Sequence, residues 1–123
     1  MILVDTNILI EIYRNNTSIV ESVKKIGQEN IAVSDITCAE LYFGARNKKE
    51  LQIIAKDLKK LEILHLFAEI SQKAVALVEK YALSHKLSIP DALIAATAIY
   101  YDLPLYTLNT KDFVFIEGVK LYK

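Results

Sequence analysis

Short, wholly apolar runs alternate along this chain with longer stretches in which apolar residues recur at helical spacing. Ile2-Leu3-Val4 is the first run, as expected of a strand buried on both faces. Asp5-Thr6-Asn7 then supplies helix-capping residue types, and Ile8, Leu9 and Ile12 give the following segment a helical stripe. Thr17 or Ser18 opens a second helix, with Ile19, Val20, Val23 and Ile26 on one side and Gly27 near its end. Ile31-Ala32-Val33 reads as a second strand. Ser34-Asp35 caps a third helix, in which Ile36, Leu41 and Phe43 are expected to be buried and Gly44 marks a stop or bend.

From Lys48 to Leu61 the pattern is again helical. Leu51, Ile54, Ala55, Leu58 and Leu61 share one face, and Lys49, Lys56 and Lys60 share the opposite one. Ile63-Leu64 suggests a third strand, and Ile70 through Leu83 a helix carrying Ala74, Leu77, Val78 and Tyr81. Ser88-Ile89-Pro90-Asp91 begins a helix rich in small residues, with proline in its first turn. Leu105-Tyr106-Thr107 is a late strand, and Val119 to Leu121 offers a last one. Strands alternating with helices throughout predict an α/β sandwich around a mostly parallel sheet.

Composition narrows the class. A length of 123 residues suits one domain spanning residues 1–123, and an apolar fraction of 53% is ample for a core. Three glycines and two prolines are too few for a long flexible linker. Cys38 is the only cysteine, which excludes an intrachain disulfide, argues against a cysteine-based zinc site and suits a reducing, cytoplasmic compartment. Asp5 comes too early for a signal-peptide core, and no apolar run approaches the roughly 20 residues that span a bilayer. Fifteen basic and 15 acidic side chains leave zero net charge, so bulk charge does not advertise nucleic-acid binding. If Asp5, Glu40, Asp91 and Asp112 are set aside as a cluster, the remainder is mildly basic.

Those carboxylates are the candidate chemistry. Asp5 directly follows a buried strand, and in open parallel sheets ligands gather beyond the strands' carboxyl ends. Helix capping explains it equally well. Glu40 lies one helical turn after Ile36 and beside Leu41, where a carboxylate needs a cation, a donor or water. A head turned to solvent would meet that need. Asp91, in the first turn of the alanine-rich helix, could complete a capping box with Ser88, and capping does not preclude ligation. The polar turn Thr107 to Phe113 should also collect at a strand's carboxyl end. There Asn109 or Asp112 could add an oxygen, although both residue types also suit a simple turn. Such a set fits Mg²⁺ or Mn²⁺, which prefer oxygen ligands and serve phosphate chemistry. RNA as the substrate does not follow from these residues alone.

At the same positions the sequence resembles PIN-domain proteins, specifically the VapC-type toxin ribonucleases. The likeness lies in Leu3-Val4-Asp5-Thr6-Asn7, in Thr37-Cys38-Ala39-Glu40-Leu41 with Gly44, in Pro90-Asp91-Ala92-Leu93-Ile94-Ala95-Ala96-Thr97-Ala98, and in Thr107 through Phe113. The resemblance implies a three-layer α/β/α fold and endonucleolytic RNA cleavage by water that Mg²⁺ or Mn²⁺ activates. It makes Asp5, Glu40 and Asp91 the metal ligands, with Thr6 and Asn7 supporting Asp5 or the water. Aligning on Thr107 puts the family's fourth position at Asn109, where many members carry an acid; Asp112 could take over, Asn109 could serve through its carbonyl, or one metal could suffice without it. A homodimer and a neutralising antitoxin are implied as well.

Three other functions fit parts of the pattern: a housekeeping RNA-processing nuclease of the same fold, a PIN-like binding module without catalysis, and a haloacid-dehalogenase-type phosphatase. The phosphatase wants an aspartate two positions after Asp5, where Asn7 stands. His65 and His85 lie outside the carboxylate blocks and read as ordinary histidines, and Cys38 as a small buried hydrophobe. Arg46, Lys48 and Lys49 could guide an RNA backbone, with a solvated face the plainer reading. The seven tyrosines read mostly as core or interface residues rather than base-stacking platforms.

Overall fold

The computed structural model describes residues 1–123. Its strands are β1 (Ile2–Val4), β2 (Ile31–Ser34), β3 (Glu62–Leu64) and β4 (Leu105–Tyr106). They form one sheet in the order β3-β2-β1-β4, with every pairing parallel. Leu3 of central β1 stands opposite Ala32 on one side and Leu105 on the other. Parallel neighbours cannot be joined by tight hairpins. The helices α1 (Thr6–Tyr13), α2 (Thr17–Ile26), α3 (Asp35–Phe43), α4 (Lys48–Leu58), α5 (Ala68–His85) and α6 (Ile89–Tyr101) provide the crossovers.

Successive strand residues point to opposite faces, and the core divides accordingly. Leu3, Ala32, Leu64 and Leu105 face α5 and α6, meeting Ile70, Leu77, Ile94 and the alanines of α6. Val4, Ile31 and Val33 face the other way, toward Ile8, Ile19, Leu41, Ile54 and Leu58 of α1 to α4. The result is the expected three-layer α/β/α arrangement. Ala92, Ala95 and Ala96 are wholly buried, and α6, which carries Asp91 in its first turn, packs most closely along α5. No helix is long and apolar enough to cross a membrane.

Several local expectations need correction. Phe43 is 94% exposed, because the apolar stripe of α3 continues past the body that buries Leu41. Ile36 is only half-buried. Leu51, in the first turn of α4, is exposed, and that helix ends at Leu58 rather than Leu61. α5 runs further at both ends than Ile70 to Leu83. The strand offered by Val119 to Leu121 reduces to one parallel bridge between Leu105 and Leu121. It starts directly after Gly118, whose φ of +95° turns the chain sharply.

Candidate active site

Asp5 stands at the carboxyl end of β1 and caps α1, its Oδ1 accepting from the Thr6 amide at 2.8 Å. Capping uses only part of the carboxylate. Oδ2 accepts from the Thr107 hydroxyl at 2.8 Å and from Asn7 Nδ2 at 3.3 Å. Asn7 is held in turn by the Leu108 amide, which donates to its Oδ1 at 3.2 Å. The strand-end turns after β1 and β4 are thus knitted together around one buried acid.

Glu40 is exposed as a residue yet anchored at one oxygen: the Thr6 hydroxyl donates to its Oε1 at 2.6 Å. Thr6 therefore bridges the first two blocks, its amide on Asp5 and its hydroxyl on Glu40. Asp91 sits at the start of α6, where the Ser88 hydroxyl accepts its amide at 3.3 Å. Burial pushes the Asp91 carboxyl up to about 6. Repulsion from Asp5, Asp112 and Glu40 adds to the rise, and a hydrogen bond with Ser88 opposes it. Burial also raises Asp5, against the hydrogen bonds from Thr107 and Thr6, with Glu40 and Asp112 adding repulsion. Asp5 and Asp91 therefore each lie within electrostatic reach of Glu40 and Asp112.

The two candidates for the fourth position, both in the turn after β4, differ in their exposure. Asn109 is exposed, and its amide donates to the Thr107 hydroxyl at 3.1 Å. Thr110–Asp112 then forms a 3₁₀ turn that leaves Asp112 half-buried and within electrostatic reach of Asp5 and Asp91. Phe113, wholly buried, anchors this turn.

The remaining candidates lie elsewhere. Arg46 is exposed and held by Glu50 at 2.7 Å, while Lys48 and Lys49 are exposed and form no ion pair. His65 pairs with Asp35 at 2.9 Å, and His85 stacks on Phe115 with ring centres 3.9 Å apart. Cys38 is half-buried, and burial raises its thiol. Beside Glu40 opens a groove of about 630 Å³, lined by Ile10, Leu41, Ile54, Arg46 and Glu50 among others. Neither Asp5 nor Asp91 lines it.

As placed, no three acidic, histidine or cysteine side chains converge tightly enough to hold a metal ion. The chemistry of the donors nevertheless fits a hard divalent cation. All the donors are oxygens, no basic side chain forms an ion pair with any of the four acids, and each carboxylate keeps a lone pair on at least one oxygen beyond its present bonds. Asp5, Glu40 and Asp91, with Asp112, are the residues that would hold it.

A model of the PIN domain family matches residues 2–117. The chain belongs to the PIN-domain family. This PIN domain is 32% identical to a ribonuclease, VapC10, of Mycobacterium tuberculosis, over 98% of its own length and 91% of the relative's. It is 30% identical to a ribonuclease, VapC1, of Methanocaldococcus jannaschii, over 98% and 86%. Among solved structures it resembles a chain of a toxin–antitoxin complex from Klebsiella pneumoniae, with a TM-score of 0.82, 34% identity and coverage of 97% and 95%.

The raised carboxyls make stability depend on pH. Asp91 moves from an ordinary 3.8 to about 6 on folding, so between those values the folded protein binds more protons than the unfolded chain. Its contribution is complete below about pH 4 and is lost as pH rises through about 6. Full linkage would make the loss about 3 kcal/mol; a carboxyl partly in water should show about 1 kcal/mol. Thermal unfolding of the metal-free protein from pH 4 to 8 should therefore show a fall that Asp91→Asn lacks. Parallel profiles for the two proteins would contradict it.

Proposed function

We propose that this PIN domain is a divalent-metal-dependent endoribonuclease and the toxin of a toxin–antitoxin pair. The observation that carries the reading is the gathering of Asp5, Glu40, Asp91 and Asp112 at one end of the sheet without a basic partner, in a chain whose relatives are ribonucleases. Mg²⁺ or Mn²⁺, when bound, supplies water activation and charge neutralisation at an RNA phosphodiester. Asp5, Glu40 and Asp91 are the proposed ligands. Half-buried Asp112 is a better candidate for the fourth position than exposed Asn109.

The chain's own contribution is orientation. Thr107 and Asn7 fix Oδ2 of Asp5, the Thr6 amide fixes Oδ1, and the Thr6 hydroxyl fixes one oxygen of Glu40. The first turn of α6 presents Asp91 from a helix that cannot shift without disturbing buried alanines. Lys48 and Lys49 are free to meet the RNA backbone, whereas Arg46 must first leave Glu50. The proposed partners are single-stranded RNA, a cognate antitoxin and a second copy of the chain, in the cytoplasm.

Purified protein is expected to cut single-stranded RNA internally with Mg²⁺ or Mn²⁺ and to stop on addition of chelator. No cutting by excess protein with either metal would refute the nuclease reading. Growth unaffected by expression of an active protein would instead point to a housekeeping nuclease.

A further inference from the structure

Thr37 and Thr97 are both wholly buried threonines inside helices. Thr97 gives its proton to the Leu93 carbonyl one turn back, at 2.7 Å, a common outlet for a helical hydroxyl. Thr37 makes no such bond. Its one hydrogen-bonding partner is the Thr6 hydroxyl, 3.1 Å away, across from α3 to α1.

Thr6 stands between two acceptors but carries one hydroxyl proton. An ionised carboxylate can only accept, and Glu40 Oε1 is the nearer partner at 2.6 Å, so Thr6 donates to Glu40. Thr37 must then donate to Thr6. The result is a directed chain, Thr37 Oγ1–H to Thr6 Oγ1–H to Glu40 Oε1. Thr37 and Glu40 are three residues apart on α3 and so lie on neighbouring turns of one face. That helix supplies both ends of the chain, and Thr6 closes it from α1.

We propose that Thr37 is a positioning residue for Glu40, holding the Thr6 hydroxyl aimed at one Glu40 oxygen so that the other stays free for the metal. The metal half of this statement rests on the proposed role of Glu40; the positioning half does not. Without the Thr37 donor, the Thr6 oxygen loses the contact that fixes its rotamer, its hydroxyl is no longer held toward Glu40, and an otherwise exposed glutamate regains its rotamers.

The test compares Thr37→Val, Thr37→Ser, Thr6→Val and the Thr6→Val/Thr37→Val pair, each checked for folding by thermal melting. Glu40 side-chain order in the metal-free protein is read by ¹³C relaxation, and Mn²⁺ affinity by calorimetric titration. Thr37→Val should loosen Glu40 and weaken Mn²⁺ binding about 10-fold, the scale expected for a residue that orients a metal ligand. Thr37→Ser should restore both. In the Thr6→Val background, Thr37→Val should add nothing further, because the chain is already cut. Unchanged Glu40 order in Thr37→Val, failure of serine to restore it, or fully additive losses would overturn the proposal. Absence of Mn²⁺ binding by the unaltered protein would defeat the metal reading of the site, while Glu40 order would still decide the role of Thr37. If Thr37→Val does not fold, Thr37→Cys, a weaker donor, takes its place.

Discussion

Asp91→Asn should yield a protein that is folded, more stable than the original above pH 6 without metal, and at least about 1,000-fold slower in cutting RNA. The two halves have one cause. The Asp91 carboxyl is pushed up by burial and by Asp5, Asp112 and Glu40, so ionising it in the folded state is unfavourable until a cation arrives. An amide removes the charge and keeps the shape. The backbone amide of residue 91 still reaches Ser88, so the helix start survives. A 1,000-fold loss corresponds to about 4 kcal/mol of transition-state stabilisation, the scale at which a divalent ion acts on phosphoryl charge. Single-turnover cleavage and thermal melting of the same sample check both halves. Full activity in a folded Asp91→Asn protein would remove Asp91 from the site. Asp5→Asn should be as inactive but less stable, since its amide group would face Asn7 Nδ2, a donor that Asp5 now accepts.

Phe113→Ala should be the most damaging substitution for folding that lies beside the site. Phe113 is wholly buried and directly follows the turn that carries Asp112. Truncating a buried phenylalanine removes about 3–5 kcal/mol, a large part of the 5–15 kcal/mol that holds a typical domain together. Cleavage should fall even at temperatures where the variant stays folded, because the Asp112 turn loses its anchor. Phe113→Leu should recover most of both. Urea unfolding with cleavage assays in the cold measures the pair of effects. A loss below about 1 kcal/mol would mean the surroundings collapse onto the vacated space.

The legible parts of this fold were those whose local and tertiary requirements agree. Ile2 to Val4, Ile31 to Val33 and the alanine-rich segment after Pro90 have one plausible burial each, and they fall where their patterns put them. Phe43 and Leu51 obey the same periodicity but lie where the helix has left the body of the protein. Periodicity names a face; it does not say how far along that face a neighbour extends. The candidate site was legible in residue types and family pattern, and the places of Asp5 and Asp91 at element boundaries are as the sequence put them. The different settings of Asn109 and Asp112 were not legible, since they depend on how a short 3₁₀ turn is anchored by Phe113. Nor was the part proposed for Thr37, because its sequence context does not distinguish it from Thr97, whose hydroxyl bonds the helix's own backbone.

The central position of β1 bears on how the protein is made. Its first strand pairs with β4, and the Asp5 carboxylate takes a hydrogen bond from Thr107, 102 residues downstream. Contacts that distant form late, after the costs of closing long loops have been met. During synthesis the Asp5 end of the site must wait for almost the whole chain to leave the ribosome. A chain of this topology therefore cannot complete the Asp5 end of the candidate site until β4 and the turn after it are in place.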